Sequence, residues 1–460
     1  MKLAALILAA GEGKRMNSAL AKPLHRVCGR TMIDHVLDYV QALDPEQVCV
    51  VLGAQREALE PVLAQRPVQT VVQHEQLGTG HAVMAAAGVL AEFDGELLIT
   101  CADIPLVRPE TLQALQAEHR DRGAAATVLT ADYADPTGYG RLVRDEQGLV
   151  RAIVEHRDAD EATREIREIN AGVYVFDCRK LLAALARLQP DNAQGEYYLT
   201  DVIADLVSRG ETVAAYQSPD PGEVMGINDR VQLAQAESIA RDRVRETLMR
   251  GGVTFIDPAS SYLEAGVQVG RDSVIWPGAV LSGETTVGEG CEVGPHVIIQ
   301  DSTLGEGCQI LQGSAITGCR LGDRVQVGPF AHLRAGSTVD DEARVGSHTE
   351  LVRTHLGAGV KDLHFSYLGD ATVGPGCNIG AGVITCNYDG VAKHQTIIEA
   401  GAFIGSDAVL VAPLTIGAGA YVAAGSVINQ DVPAEALGIS RAPQENREEW
   451  ALRRRQRQGK

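Results

Sequence analysis

At 460 residues the chain is long enough for two to four domains, and its 45% hydrophobic content supports packed cores. The net charge of −19, from 41 Lys and Arg against 60 Asp and Glu, excludes a dedicated nucleic-acid surface. Nine cysteines without any Cys-x-x-Cys pair exclude a disulfide framework and a zinc site, and read as reduced thiols of a cytoplasmic protein.

From residue 3 to 10 an apolar run passes straight into Gly11-Glu12-Gly13-Lys14-Arg15-Met16, a charged glycine loop and a poor cleavage region. The run reads as a buried first strand, not a secretion signal. No other stretch approaches the ~20 apolar residues of a membrane span, so no membrane partner is expected. Apolar runs at 3–10, 48–52, 68–72 and 97–100 alternate with helical patterns at 32–43, 57–63 and 81–90. This alternation predicts a doubly wound, Rossmann-like α/β domain with its ligand crevice at the carboxyl ends of parallel strands.

The loops after those strands carry the chemistry. Gly11 and Gly13 let backbone N–H groups approach an anionic phosphate chain, with Lys14 and Arg15 next and Lys22 downstream. The loop is neither a Walker A motif nor the dinucleotide fingerprint, whose third glycine is replaced by Met16. An ordinary tight strand–helix turn is the competing reading. Asp103, leaving the fourth strand, suits a hard oxygen ligand for Mg²⁺ or a cap for the turn before Pro105. Gln73 and Gly78-Thr79-Gly80 offer amide hydrogen bonds to a base or sugar, against helix capping by Thr79. A hairpin runs from 137–141 through 150–154 to Glu155, and Asn170 precedes the strand 173–176. Glu155 and Asn170 fit hydroxyl recognition, or serve as turn and edge residues. A helical pattern over 229–250, ended by Gly251-Gly252, predicts an arm of roughly 33 Å.

From 267 to 428 an aliphatic residue returns at every sixth position, as in Val269, Ile275, Leu281, Val287, Val293 and Ile299. After five-residue steps the series continues at Leu304, Ile310 and Ile316, then from Leu321 to Leu351, and again from Ile404 to Ile428. A period of six is the signature of hexapeptide parallel β-helices, with three hexads per triangular coil and roughly nine coils in this run. The register is expected to break at 356–368, around His364, and again at 379–397.

Five strings together identify a family. They are Leu8-Ala9-Ala10-Gly11, Gln76-Leu77-Gly78-Thr79-Gly80-His81, Asp135-Pro136-Thr137-Gly138-Tyr139-Gly140-Arg141, Asn192-Ala193-Gln194-Gly195-Glu196-Tyr197-Tyr198 and Thr385-Cys386-Asn387-Tyr388-Asp389-Gly390. Over essentially its whole length the chain resembles the bifunctional bacterial family joining N-acetylglucosamine-1-phosphate uridylyltransferase to glucosamine-1-phosphate N-acetyltransferase. The resemblance implies a nucleotidyltransferase domain at 1–229, a helical linker at 230–250 and a left-handed parallel β-helix acetyltransferase at 251–460.

It further implies Mg²⁺, with UTP and acetyl-CoA as co-substrates, a cytoplasmic homotrimer, and a product feeding peptidoglycan and lipopolysaccharide. Leu8, Ala9, Ala10, Gly11, Arg15, Lys22, Gln73, Gly78, Thr79, Cys101 and Ala102 would hold the nucleotide. Gly140, Glu155 and Asn170 would complete the sugar side, with Asp103 and Asn228 binding both UDP-sugar and Mg²⁺. His364 would be the general base of acetyl transfer, an imidazole suiting that task near neutral pH. Arg334, Val352, Tyr367 and Asn378 occupy the sugar-phosphate positions. Ala381, Asn387, Tyr388, Ser406, Ala424 and Arg441 would line the acetyl-CoA groove.

Two departures stand out. Cys101-Ala102 replaces the family's usual Tyr-Gly, and Val352 stands where the family carries a lysine. Arg353 is the nearest cation, but neighbouring side chains on a strand face opposite ways. Two other readings therefore accompany the bifunctional one: a uridylyltransferase with a weakened acetyltransferase half, and a non-catalytic trimerisation or regulatory β-helix.

Overall fold

The computed structural model describes residues 2–459; Met1 and Lys460 lie outside the described residues. The chain divides into two compact units, Met1–Asp242 and Arg243–Lys460. The division falls inside the helix Arg230–Arg250, so the expected linker belongs partly to each unit.

In the first unit the apolar runs become strands, three of them buried on both faces and the one at 69–72 a half-exposed edge. These are β1 (Leu3–Ala9), β2 (Gln47–Leu52), β3 (Gln69–Val72) and β4 (Glu96–Cys101). They pair parallel in the order β4-β1-β2-β3. Helix Met32–Gln41 covers them with Met32, Ile33, Val36, Leu37 and Val40, and Thr31 caps its start by accepting the Asp34 N–H. The helical pattern at 81–90 forms two pieces, Thr79–Ala85 and Ala87–Leu90, interrupted at Ala86.

Beyond β4 the sheet turns mixed. β5 (Ala126–Asp132), the hairpin β6 (Arg141–Arg144) and β7 (Val150–Val154), β8 (Glu168–Asp177) and β9 (Val213–Gln217) follow in the chain. β8 runs antiparallel to both β4 and β5, while β9 is parallel to β5. β8 begins earlier than expected and shifts register between Asn170 and Tyr174, which carries Asn170 into the strand.

The second unit is a parallel β-helix of three sheets with 11, 10 and 9 strands. It starts at Thr254–Phe255 and ends at Leu437–Gly438, about ten coils and so slightly longer than the hexad run. Every hexad aliphatic from Ile275 to Leu351 and from Ile404 to Ile428 is buried; only Val269, near the first coil, is half-buried. Each such side chain sits directly above its equivalent on the preceding coil, so one truncation to alanine costs roughly 2–5 kcal/mol.

The expected register break at 356–368 is absent. Strand Lys361–Asp362 continues the 11-stranded sheet, pairing with Arg344–Val345 before it and Asn378–Ile379 after it. What interrupts the pattern is chemistry rather than register. Asp362 takes the inner position between Val345 and Ile379, with no exposed surface. Its carboxyl is bridged by the Ser366 hydroxyl at 2.8 and 2.7 Å, and burial pushes its pKa up to about 7. The second irregularity is a real insertion, a loop between strands Ile384–Cys386 and Thr396–Ile398.

The folded state binds the Asp362 proton more tightly than the unfolded chain does. Stability is therefore greatest below the ordinary carboxylate value of 3.8 and is lost as pH rises to about 7, by on the order of 4 kcal/mol. Asp362→Val combined with Ser366→Ala restores the aliphatic stack. Thermal melting of this variant should show a higher Tm than the parent at pH 8 and a flatter profile between pH 5 and 8.

Candidate functional site

At the carboxyl ends of β1, β3 and β4 the first unit opens a cavity of about 700 Å³. Leu8, Ala9, Ala10 and Gly11 form one wall, continuing the buried first strand. Gln73, Gly78 and Thr79 supply a second, and Cys101, Ala102 and Asp103 a third, with Lys22 closing the rim. Gly78 has φ +107°, and a Cβ there would lie 2.6 Å from the Tyr197 carbonyl oxygen, so the turn admits only glycine. Thr79 does not cap its helix. Its hydroxyl accepts the Leu199 N–H at 3.1 Å and fastens the cavity wall to the segment carrying Glu196.

The Lys22 ammonium reaches Asp103 Oδ2 at 2.5 Å and Asn228 Oδ1 at 2.9 Å. Arg15 donates to the same Asn228 oxygen at 3.0 Å. A carboxylate and an amide oxygen that converge on a cation form a hard donor pair, which fits Mg²⁺ completed by water and phosphate oxygens. Asp103 is thus an ion-pair partner rather than a turn cap, and its backbone oxygen also accepts Ile227 N–H at 2.9 Å, holding the Asn228 segment in place. Burial, then the Asp103 charge, pushes the Cys101 thiol up to about 12, so it remains protonated.

Gly140, Glu155 and Asn170 lie outside the cavity lining and form a cluster of their own. Gly140 O accepts Asn170 N–H at 2.9 Å, and a Cβ on Gly140 would lie 3.4 Å from Glu155 Oε1. Asn170 Nδ2 donates to Tyr174 at 2.7 Å, and Thr200 donates to Glu155 at 3.2 Å. Burial raises the Glu155 pKa. The cluster approaches the cavity through Gly172, whose carbonyl faces Cys101 Sγ at 3.9 Å.

In the second unit the register aligns residues far apart in sequence. Asp362, Ile379, Ile404 and Val422 pair in succession. Two residues beyond each, His364, Ala381, Ser406 and Ala424 therefore share one corner of the prism, spanning about 14 Å. Arg441 joins this column by donating to Ala424 O at 2.9 Å. His364 is pinned by its backbone, where its carbonyl accepts the Thr349 hydroxyl at 3.2 Å, and its side chain is exposed.

The neighbouring face carries Arg334, Val352 and Tyr367, with Arg334 paired to Glu350 at 3.1 Å. Asn378 lies on the 11-stranded sheet, across the His364 corner from Tyr367. Asn387 and Tyr388 lie at the other end of the Tyr367 face, where the insertion begins; Asn387 is buried and Tyr388 exposed. Val352 is buried, and the Arg353 guanidinium forks onto Asp370 at 2.6 and 2.8 Å, so it does not occupy a lysine's place at Val352.

Glu12, Pro23, Gln76 and Glu196 also line the first cavity, and sequence reasoning assigned them no role. Gln76 and Glu196 lie within two of the identifying strings, so the signal was present without a mechanism attached. Asp370 was missed for lack of any pattern; only its position one coil from both Arg353 and Asn387 reveals it.

Known proteins agree with this architecture. The family model described as a MobA-like NTP transferase domain matches residues 5–208, and that described as bacterial transferase hexapeptide (six repeats) matches 395–430. The Bifunctional protein GlmU of Geobacillus thermodenitrificans is 50% identical over 455 residues, covering 99% of each chain. That of Geobacillus sp. strain WCH70 is 50% identical over 98% of each, and that of Halalkalibacterium halodurans 47% identical over 98% of each. With half its residues shared along almost the entire length, including both the nucleotidyltransferase and the hexapeptide half, the chain belongs to the GlmU family of bifunctional transferases.

Proposed function

We propose that the cavity of the first unit performs uridylyl transfer and that the His364 corner of the second performs acetyl transfer. Together they make this chain a bifunctional enzyme of UDP-N-acetylglucosamine synthesis, supplying the sugar nucleotide for cell-wall polymers. The observation that carries the reading is the convergence of Lys22, Arg15, Asp103 and Asn228 at the mouth of the cavity.

In uridylyl transfer, a phosphate oxygen of N-acetylglucosamine-1-phosphate attacks the α-phosphorus of UTP, and the bond to the β-phosphate breaks to release pyrophosphate. Leu8–Gly11, Gln73, Gly78 and Thr79 would hold the nucleotide, with Gly140, Glu155 and Asn170 on the sugar. Lys22 and Arg15 would neutralise the phosphate chain and hold it in line. Mg²⁺ held by Asp103 and Asn228 would supply further charge neutralisation. The Lys22 ammonium now resting on that oxygen pair would turn to phosphate once the cation is bound.

In acetyl transfer, the 2-amine of glucosamine-1-phosphate attacks the thioester carbonyl of acetyl-CoA. A C–N bond forms, the C–S bond breaks, and His364 takes the amine proton. Arg334, Tyr367 and Asn378 would bind the sugar phosphate. The column of Ala381, Ser406, Ala424 and Arg441, with Asn387 and Tyr388, would bind the coenzyme. Tyr367 and Asn378 flank the His364 corner on different faces, an arrangement that favours a site completed between copies of the prism. A homotrimer packed through these faces fits this arrangement, and the exposed ring stack of Phe403 and Tyr421, centroids 5.3 Å apart, offers apolar contact area. No helix among the described residues is long and apolar enough to cross a membrane, and all nine cysteines are free thiols, which supports a cytoplasmic site of action.

Buried Val352, with Arg353 committed to Asp370, favours a weakened acceptor site as the second reading. His364→Ala should lower acetyl transfer by about 10²-fold or more while UTP turnover persists; a non-catalytic prism would lose neither. Lys22→Ala should do the reverse, cutting uridylyl transfer by about 10²-fold and leaving acetylation unchanged. The parent enzyme should acetylate glucosamine-1-phosphate with a high KM, and Val352→Lys should lower that KM by roughly tenfold. A parent with no acetylation even at saturating acceptor would exclude this reading of Val352.

A further inference from the structure

The geometry points to Asp370 as a positioning residue for acetyl transfer: clamped by Arg353, it orients the Asn387 amide and anchors the insertion loop. This rests on the acetyl-transfer reading of the second unit.

Arg353, Asp370 and Asn387 stand one coil apart at a single corner of the prism, the opposite end of the Tyr367 face from His364. Arg353 and Asp370 both hold left-handed backbone, φ 50° and 48°, which turns their side chains toward each other across the coil step. The guanidinium fork delivers Nε to Oδ1 at 2.6 Å and Nη2 to Oδ2 at 2.8 Å. This pairing, foremost, holds the Asp370 carboxyl below the usual carboxylate value. Lys in place of Arg353 would keep the charge but not the fork.

Asp370 Oδ2 also receives Asn387 Nδ2 at 2.5 Å. A carboxylate can only accept, so the amino end of Asn387 must face Asp370 and its Oδ1 must face away. Among the described residues no donor reaches that Oδ1, which leaves a hydrogen-bond acceptor on an otherwise buried side chain. A Cβ built on Gly369 would lie 2.6 Å from the Tyr367 hydroxyl and 2.7 Å from Asn387 Nδ2. The tyrosine hydroxyl and the asparagine amide therefore converge over a residue that can only be glycine.

Asp370 grips the far end of the insertion as well, because its backbone oxygen accepts Thr396 N–H at 3.2 Å. The loop between is braced on itself. Asp389 accepts Val391 and Ala392 N–H at 2.7 Å each and pairs with His394 at 2.7 Å, and the Tyr388 hydroxyl donates to Gly390 O at 2.7 Å. A loop that is stiff within itself and tied at both ends to one residue takes its orientation from that residue. Asp370 thus sets where Asn387 Oδ1 meets an N–H donor of the bound substrates and where Tyr388 meets the coenzyme.

The test is a double-mutant cycle on the full chain, with acetyl-CoA and glucosamine-1-phosphate as substrates and thermal melting of the same preparations recorded to confirm that the second unit is folded. Asp370→Asn should lower acetyl kcat/KM by tens of fold, Arg353→Lys by only a few fold, and Asp370→Asn should add almost nothing in an Asn387→Ala background. If Asp370→Asn impairs folding, Arg353→Gln, at an exposed side chain, takes its place in the cycle. Fully multiplicative losses, or an Asn387→Ala enzyme with undiminished acetyl transfer, would overturn the positioning role. Persistence of acetyl transfer in His364→Ala would instead overturn the reading of the site on which the proposal rests.

Discussion

Half of this molecule depends on one constraint: each short strand must bury one aliphatic side chain directly above its equivalent on the preceding coil. The strands are only two to four residues long and could not persist singly. Stacking makes each coil the hydrophobic floor of the next, so the 18-residue period and the straight columns of side chains are one phenomenon. Large rings do not fit inside so narrow a prism. Phe330, Phe365, Phe403 and Tyr421 all point outward.

Regular columns inside imply regular columns outside, and the residues proposed for acetyl transfer fall on one of them. A residue placed beside a hexad recurs at the same corner on every coil, so His364, Ala381, Ser406 and Ala424 form a track, and Arg441, from the segment after the last strand, reaches it through the Ala424 carbonyl. The stack is modified near the residues proposed for acetyl transfer. Asp362 replaces an aliphatic residue in the strand that leads to His364, and the insertion after Cys386 brings Asn387 and Tyr388 to the Tyr367 face. In the first unit the constraint is different. Parallel strands end together, and three loops reach one cavity because β1 lies between β2 and β4.

Much of this was legible in sequence. The six-residue period located the prism and its inner residues, since periodicity is a direct image of burial. The parallel strands β1 to β4 were readable for the same reason. Less legible were features made by contacts between distant segments. The antiparallel course of β8 depends on which strands it meets, not on its composition. A break in pattern around His364 looked like a break in register, because a carboxylate at an inner position gives no hint that a serine four residues on will satisfy it. The roles given to single residues came from resemblance. Geometry added which of them meet, separating Gly140, Glu155 and Asn170 from the cavity wall and tying Arg353 to Asp370.

The rim of the first unit's cavity joins the beginning of that unit to its end. Arg230 donates to Met16 O at 3.2 Å and meets His25 at 3.2 Å, while Glu237 accepts Cys28 N–H at 2.6 Å. Lys22 and Arg15 likewise find Asn228, more than two hundred positions later. On the ribosome these partners are separated by the time needed to synthesise nearly the whole unit, since domains emerge amino-terminus first. Lys22 can meet Asp103 earlier, but the Asn228 oxygen shared by Lys22 and Arg15 arrives only with the start of the closing helix. A nascent chain therefore cannot offer a finished cavity rim until nearly the whole first unit has been made.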